Sequence, residues 1–196
     1  MEGEEYLDEN SILRPVSLYA RLKVKFEKYI MQHDDSHNAF VTSLRFATAF
    51  GLSPRMRFDL TVNEFVRELT LGNELLVYGE NFWRPYCHTK DISKACELMI
   101  EAGYNKVHKQ VFGVGNTAEN YTKKMIVDEI EQVIPNINIK YVKKVEDPRD
   151  YKVNFSKIKK LGFINDYNLI DGIKEIHEAL LAGVFEDAYS DLYKNS

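Results

Sequence analysis

Tyr19 and Lys23 stand four residues apart. On a helix that spacing places both on one face. The chemistry such a pair offers is proton exchange with an alcohol. A Tyr phenol titrates near ~10, and a neighbouring ammonium favours the phenolate. The oxygen can then accept a proton from a hydroxyl and return it later. The spacing alone has low specificity, because the chain holds 12 Tyr and repeats the pattern at Tyr86 and Lys90. Taken by itself, an amphipathic helix with a packed Tyr and a solvated Lys is the simpler reading.

Other chemistries find less support. The five His include no HExxH pattern and no Cys/His cluster with zinc spacing. His33 and His37 share the polar stretch HDDSHN, which reads as a loop or a helix end. Cys87 and Cys96 form no CxxC pair, and so few thiols point to a reducing compartment. Arg84 lies between Trp83 and Pro85, where stacking or packing accounts for it as well as anion binding does. Asp91 reads as the N-cap of a helix, and His88 as a structural residue bonded near that helix start.

The elements that must position these residues alternate between strand and helix, which indicates an α/β chain. After Pro15, the positions Leu22, Phe26, Tyr29 and Ile30 recur at helical spacing. Residues 40–46 read as a strand, followed by a turn at Gly51-Leu52-Ser53-Pro54. Val62, Phe65, Val66 and Leu69 predict a helix ending at Gly72, and Glu74 to Tyr78 a short strand closed by Gly79. Further helices are expected over Asp91 to Ala102, Ile126 to Ile134, Asn154 to Leu161 and Leu169 to Leu180, with strands at Gln110 to Val114 and around Ile137 to Tyr141.

Composition sets outer bounds. The chain has 196 residues, 44% hydrophobic and 29% charged, with a net charge of −4. That is globular composition able to fill a sizeable core. The mild acidity disfavours a nucleic-acid binder. It leaves room for a local basic rim, since residues 140–160 hold eight Lys and Arg. The acidic start MEGEEYLDEN has no apolar core of a signal peptide, and no stretch approaches the ~20 apolar residues of a membrane span. A cytoplasmic protein, with no membrane and no nucleic-acid partner, is the expectation.

Several segments, in order, resemble extended short-chain dehydrogenases/reductases, and within them the NAD-dependent nucleotide-sugar epimerases and dehydratases. PVSLYARLK (15–23) resembles the active-site helix. RFATAFG (45–51) looks like the strand and turn beside the nicotinamide, and SPRMRFDLTVNEFV (53–66) like the entry to the substrate-binding part. LLVYGENFWRPYCHTKDISKA (75–95), VFGVGNT (111–117) and DPRDYKVNFSKIKKLGF (147–163) complete the series. The resemblance implies roles. Tyr19 would be the general acid/base on a sugar hydroxyl, and Lys23 would bind the nicotinamide ribose and favour the Tyr19 phenolate. Thr48, standing where many relatives have Asn, falls near the cofactor and the substrate diphosphate. Asn63 would contact that diphosphate, Tyr78 would pack on the base, and Arg84 and Arg149 would clamp the phosphates, as the guanidinium fork suits. Tyr86 and His88 would line or support the pocket.

The implied fold is the C-terminal part of such an enzyme: an incomplete Rossmann-type parallel sheet with a smaller α/β substrate-binding region. Residues 1–52 would belong to the dinucleotide-binding domain and 53–196 mainly to the nucleotide-sugar region. The sequence contains no GxxGxxG or GxGxxG to place backbone N–H groups on a pyrophosphate. Tight NAD binding by this chain alone is therefore not expected, and the strand at 40–46 would need a partner. Three readings follow. One is an epimerase, or secondly a dehydratase, or the substrate-binding part of one. Another is a nucleotide-sugar-binding remnant without catalysis. The third is half of a split enzyme, completed by a complementing N-terminal chain or by a homodimer through the Tyr19 helix, which often pairs with its copy in this family.

Overall fold

Parallel pairing of short strands and amphipathic helices of ten to fifteen residues build the computed structural model, which describes residues 6–32, 40–143 and 150–195. The acidic residues 1–5, the stretch with His33 and His37, and Arg149 lie outside the described residues. The first helix, α1 (Leu18–Gln32), starts later than Pro15. Ser17 caps it, its Oγ accepting from the Ala20 N–H at 3.1 Å.

β1 (Thr42–Phe46) and β2 (Thr48–Phe50) are successive strands in two different sheets. β1 runs parallel to β5 (Gln110–Val114). β2 runs parallel to β4 (Trp83–His88), and β4 is antiparallel to β6 (Asn120–Thr122). β3 (Leu75–Tyr78) runs parallel to β7 (Ile139–Val142). Around them pack α2 (Thr61–Thr70), α3 (Thr89–Glu101), the single turn α4 (Tyr104–Val107), α5 (Lys123–Val133), the short α6 (Ser156–Lys160) and α7 (Leu169–Leu181). A 3-10 turn, Asp191–Tyr193, lies near the C-terminus. The model is thus a mixed α/β fold with parallel sheets.

Two hydrophobic cores hold these elements. In the larger, α2, α5 and α7 bury Val62, Phe65, Val66, Ile126, Ile130, Ile173 and Ile176 against Phe50, Phe58, Val77 and Tyr86. The second lies under β1 and β5, where Phe112 and Val114 meet Ala95 and Met99 of α3, Ile158 of α6, and Phe155 and Phe163. At the usual ~25 cal/mol per Å² of apolar surface, burial on this scale stabilises the fold.

α1 belongs to neither core. None of its residues is buried. It is tied to β1 by polar contacts: the Glu27 carboxylate accepts from Arg45 Nη2 at 2.6 Å, Arg45 Nε at 2.9 Å and Ser43 Oγ at 2.9 Å. The face bearing Leu18, Leu22, Phe26 and Tyr29 is open to solvent.

Candidate functional site

The site is built around β2, β4 and the loop between β2 and α2. Parallel pairing sets Thr48 beside Tyr86, Ala49 beside Cys87 and Phe50 beside His88. Arg84 lies two residues before Tyr86 on β4. Tyr86 is 1% exposed and hydrogen-bonds Thr61, the first residue of α2. Burial pushes its phenol up to about 12. Tyr86 is therefore part of the larger core and stays protonated at neutral pH.

Asn63, 2% exposed, braces the loop. Its Oδ1 accepts from the Gly51 N–H at 3.1 Å, and its Nδ2 donates to the Arg57 carbonyl at 2.9 Å. The amide thus joins the two ends of the 51–57 segment. Arg57 in turn forms a two-pronged pair with Asp59, at 2.6 and 2.7 Å. Tyr19 is 71% exposed, with the Lys23 ammonium 5.4 Å from its ring centre.

Arg84 donates from Nη1 to the Trp83 carbonyl at 3.1 Å, and its guanidinium lies 5.5 Å from the ring centre of Tyr151. The segment beginning at Asp150 is bonded to the same strand: the Trp83 N–H donates to Asp150 Oδ1 at 2.7 Å. The Lys152 ammonium sits over the Trp83 ring at 3.7 Å. The sequence marks Arg84 and its place beside Trp83 but gives no signal for Tyr151 or Lys152 as its surroundings. Tyr78, at the end of β3, exposes its ring while its carbonyl accepts from Lys123 Nζ at 2.8 Å.

His88 and Asp91 divide the work at the α3 start differently from the sequence expectation for Asp91. His88 is the N-cap: its backbone is extended and its Nδ1 accepts from the Lys90 N–H at 3.2 Å. Asp91 is not the cap. Its carboxylate is turned to the 165–167 segment, accepting from the N–H groups of Asp166 and Tyr167 at 2.9 and 3.2 Å and from Asn165 Nδ2 at 3.3 Å. The physical reason is that the ring nitrogen of His88 already satisfies the first-turn N–H, which frees Asp91 for a long-range contact. Glu175 of α7, which bonds His88 and the Leu52 N–H, gave no local signal in the sequence.

A dinucleotide would meet an incomplete seat among the described residues. Tyr19, Lys23 and Thr48 are the residues that the resemblance implies for the ribose and nicotinamide end. The pyrophosphate end has no matching cradle. Gly113 and Gly115 accommodate the Phe155 ring instead: a Cβ at Gly115 would come within 2.7 Å of it. Those glycines serve packing against Phe155 of the second core. No group of His, Cys, Asp and Glu among the described residues could hold a metal ion. No described helix is long and apolar enough to cross a membrane.

The same fold recurs in solved structures. UDP-glucuronic acid 4-epimerase from Bacillus cereus, in complex with UDP-glucuronic acid and NAD, superposes with a TM-score of 0.78 at 19% identity, over 92% of this chain and 58% of its own. UDP-glucose 4-epimerase from Thermus thermophilus, complexed with NAD, gives 0.76 at 21% identity, over 91% and 58%. UDP-N-acetylglucosamine 4-epimerase from Methanobrevibacter ruminantium, with UDP-N-acetylmuramic acid, gives 0.77 at 23%, over 90% and 57%. At such identities the likeness shows the fold, and the chain spans under two thirds of each of these proteins. Residues 1–115 match the model of the NAD dependent epimerase/dehydratase family, and the chain belongs to that family.

Proposed function

We propose that the chain supplies the acid/base helix and the nucleotide-sugar pocket of an NAD-dependent epimerase, or secondly a dehydratase, acting on a nucleotide-linked sugar. The observation that carries this reading is the β2–β4 register, which sets Thr48 beside Tyr86, two residues after Arg84 on β4, with Tyr86 bonded to the start of the helix that holds Asn63. NAD, when bound, supplies the hydride acceptor of this chemistry. The chain's own residues do the rest. Tyr19 takes the proton from a sugar hydroxyl at its phenolic oxygen and later returns it, while Lys23 favours the phenolate and Thr48 borders the cofactor. Arg84 and Arg149 hold the diphosphate through paired N–H donors, Asn63 fixes the loop beside it, and Tyr78 offers a ring to the base. Remote binding of the nucleotide then orients the sugar.

The cofactor-binding unit would lie against α1 and β1. The open apolar face of α1 and the partner-seeking edge of a two-stranded parallel sheet support that placement. A complementing N-terminal chain, a preceding segment of the same polypeptide or a second copy could each supply the cover. A second reading is binding without catalysis, in which the chain keeps the nucleotide-sugar residues and holds no NAD.

Calorimetric titration with UDP and, separately, with NAD tests both. The first reading expects UDP to bind, Arg84→Ala and Arg149→Ala each to weaken it by about 10-fold or more, as loss of a charge-assisted contact implies, and NAD binding to require an added cofactor-binding unit. If that unit is added and NAD still does not bind, binding without catalysis is left. If the chain alone binds NAD at micromolar strength, the incomplete seat is wrong. If it binds neither ligand, the nucleotide-sugar reading falls.

A further inference from the structure

The turn after β2 is held from three sides. The Gly51 N–H donates to Asn63 Oδ1 at 3.1 Å. The next N–H, of Leu52, donates to Glu175 Oε1 at 2.7 Å. The Leu52 carbonyl accepts from Thr89 Oγ1 at 2.9 Å. The same Glu175 oxygen lies 2.6 Å from His88 Nε2. His88 Nδ1 already accepts the Lys90 N–H, so its proton sits on Nε2 and is donated to the carboxylate. Glu175 Oε2 pairs with the Lys90 ammonium at 3.0 Å. One carboxylate thus spans α7, the end of β4 and the turn of β2.

The turn has no slack against this pair. Gly51 has φ +99°, and a Cβ there would come within 2.3 Å of His88 Nε2 and 2.9 Å of Glu175. Gly172, one helical turn before Glu175, lets α7 approach so closely that a Cβ there would meet Phe50 at 2.5 Å. Burial raises the Glu175 carboxyl, yet hydrogen bonds from Leu52, Lys90 and His88 together hold it below its ordinary value.

We propose that Glu175 is a positioning residue for the diphosphate site: by holding the Leu52 N–H and His88 together, it fixes the turn that seats Asn63 relative to β4, the strand carrying Arg84. This inference rests on the nucleotide-sugar reading above. Glu175 touches no substrate in it. Its effect passes through Gly51 and Leu52 to Asn63, and through His88 along β4. Small displacements of binding groups are costly, so a distant anchor can govern affinity.

The test is UDP affinity by calorimetry, well below each variant's melting temperature, beside hydrogen exchange at the Leu52 amide. Glu175→Ala is expected to weaken UDP by about 10-fold and to speed Leu52 exchange. Glu175→Gln keeps an oxygen acceptor for Leu52 and His88 and is expected to stay within about 2-fold of the parent. Lys90→Met, which removes the outer Glu175 contact and the ammonium over the Tyr167 ring but leaves Glu175 Oε1 on Leu52 and His88, should bind UDP as the parent does. Should Glu175→Ala fail to fold, Thr89→Val releases the same peptide from its other side and is expected to weaken UDP several-fold. A merely structural Glu175 would lower the melting temperature and leave the affinity of the folded protein unchanged; that result overturns the proposal. A parent chain that binds no UDP overturns the nucleotide-sugar reading itself, and this proposal with it.

Discussion

At the scale of single residues, the site depends on groups whose local sequence says little about their task. Gly51 is the clearest case. A turn was legible at Gly51-Leu52-Ser53-Pro54, but the need for glycine comes from His88 and Glu175, far along the chain. Gly51→Ala must adopt φ near +99° and displace the His88 ring. Backbone strain and overlap together should cost about 3 kcal/mol, or roughly 6–12 °C in a thermal melt of a chain this size. A change under about 0.5 kcal/mol, the scale of an ordinary surface substitution, would mean that the ring moves aside and the turn is not held there. Arg84 illustrates the opposite limit. Its residue type and its place between Trp83 and Pro85 marked it in advance. Its stacking on Tyr151 was not legible, because that contact joins segments far apart in the chain. The cap of α3 was misassigned for a related reason. Asp is the usual capping type, and the pairing of its carboxylate with residues 165–167 is set by tertiary structure alone.

At the scale of elements, periodicity served the helices and longer strands well, and failed where an element is short or its pattern mixed. Gln110–Val114 is a strand with the limits expected, and α2, α5 and α7 follow the apolar spacing that predicts them. β4 escaped notice because Pro85 and the polar or aromatic residues around it break the alternation, and its burial comes from neighbours on both faces. β2 and β6 have three residues each, too few to show a period. α1 departs in another way: its apolar spacing is real, but that face is outward, and Glu27 attaches the other side to β1. The Arg45 hydrogen bonds hold the Glu27 carboxyl below its ordinary value of 4.5, against the opposing effect of burial. The sign follows directly. A depressed carboxylate contributes stability above its unfolded value, and that contribution is lost as pH falls through its folded value. The protection factors of the α1 amides, corrected for the intrinsic exchange rate at each pH, should therefore fall on acidification below 4.5. Glu27→Gln should show fast α1 exchange at neutral pH, about 1–2 kcal/mol less protected, with the acid dependence gone. Unchanged protection in that variant would show that the ion pair does not attach the helix.

At the scale of the whole molecule, two well-filled cores coexist with a surface that belongs to a third. The family's fold was readable because ordered segments along nearly the whole chain agreed with one another, which no single motif could provide. The roles proposed for Tyr19 and Lys23 would need a pyrophosphate cradle over α1 and β1, which the described residues do not build. Leu22, Phe26 and Tyr29 present 56%, 62% and 65% of their surface to water, beside Leu18 at 64%. A continuous apolar stripe of this kind marks an interaction face. None of these side chains belongs to either core, so changing them should alter association and not folding. In sedimentation velocity and with an apolar fluorescent dye, the chain studied alone should self-associate or bind dye through this face. The double variant Leu22→Glu, Phe26→Glu should do neither, and should melt within roughly 2–4 °C of the parent, the shift of about 1 kcal/mol. A lost fold in the double variant would place α1 inside a core after all. A parent chain that stays monomeric and takes up no dye would mean that the stripe is tolerated in water, and the case for a covering cofactor-binding unit would lose its structural support. The expected pattern leaves α1 as a seam of the molecule, with its apolar face the place where a covering unit would dock.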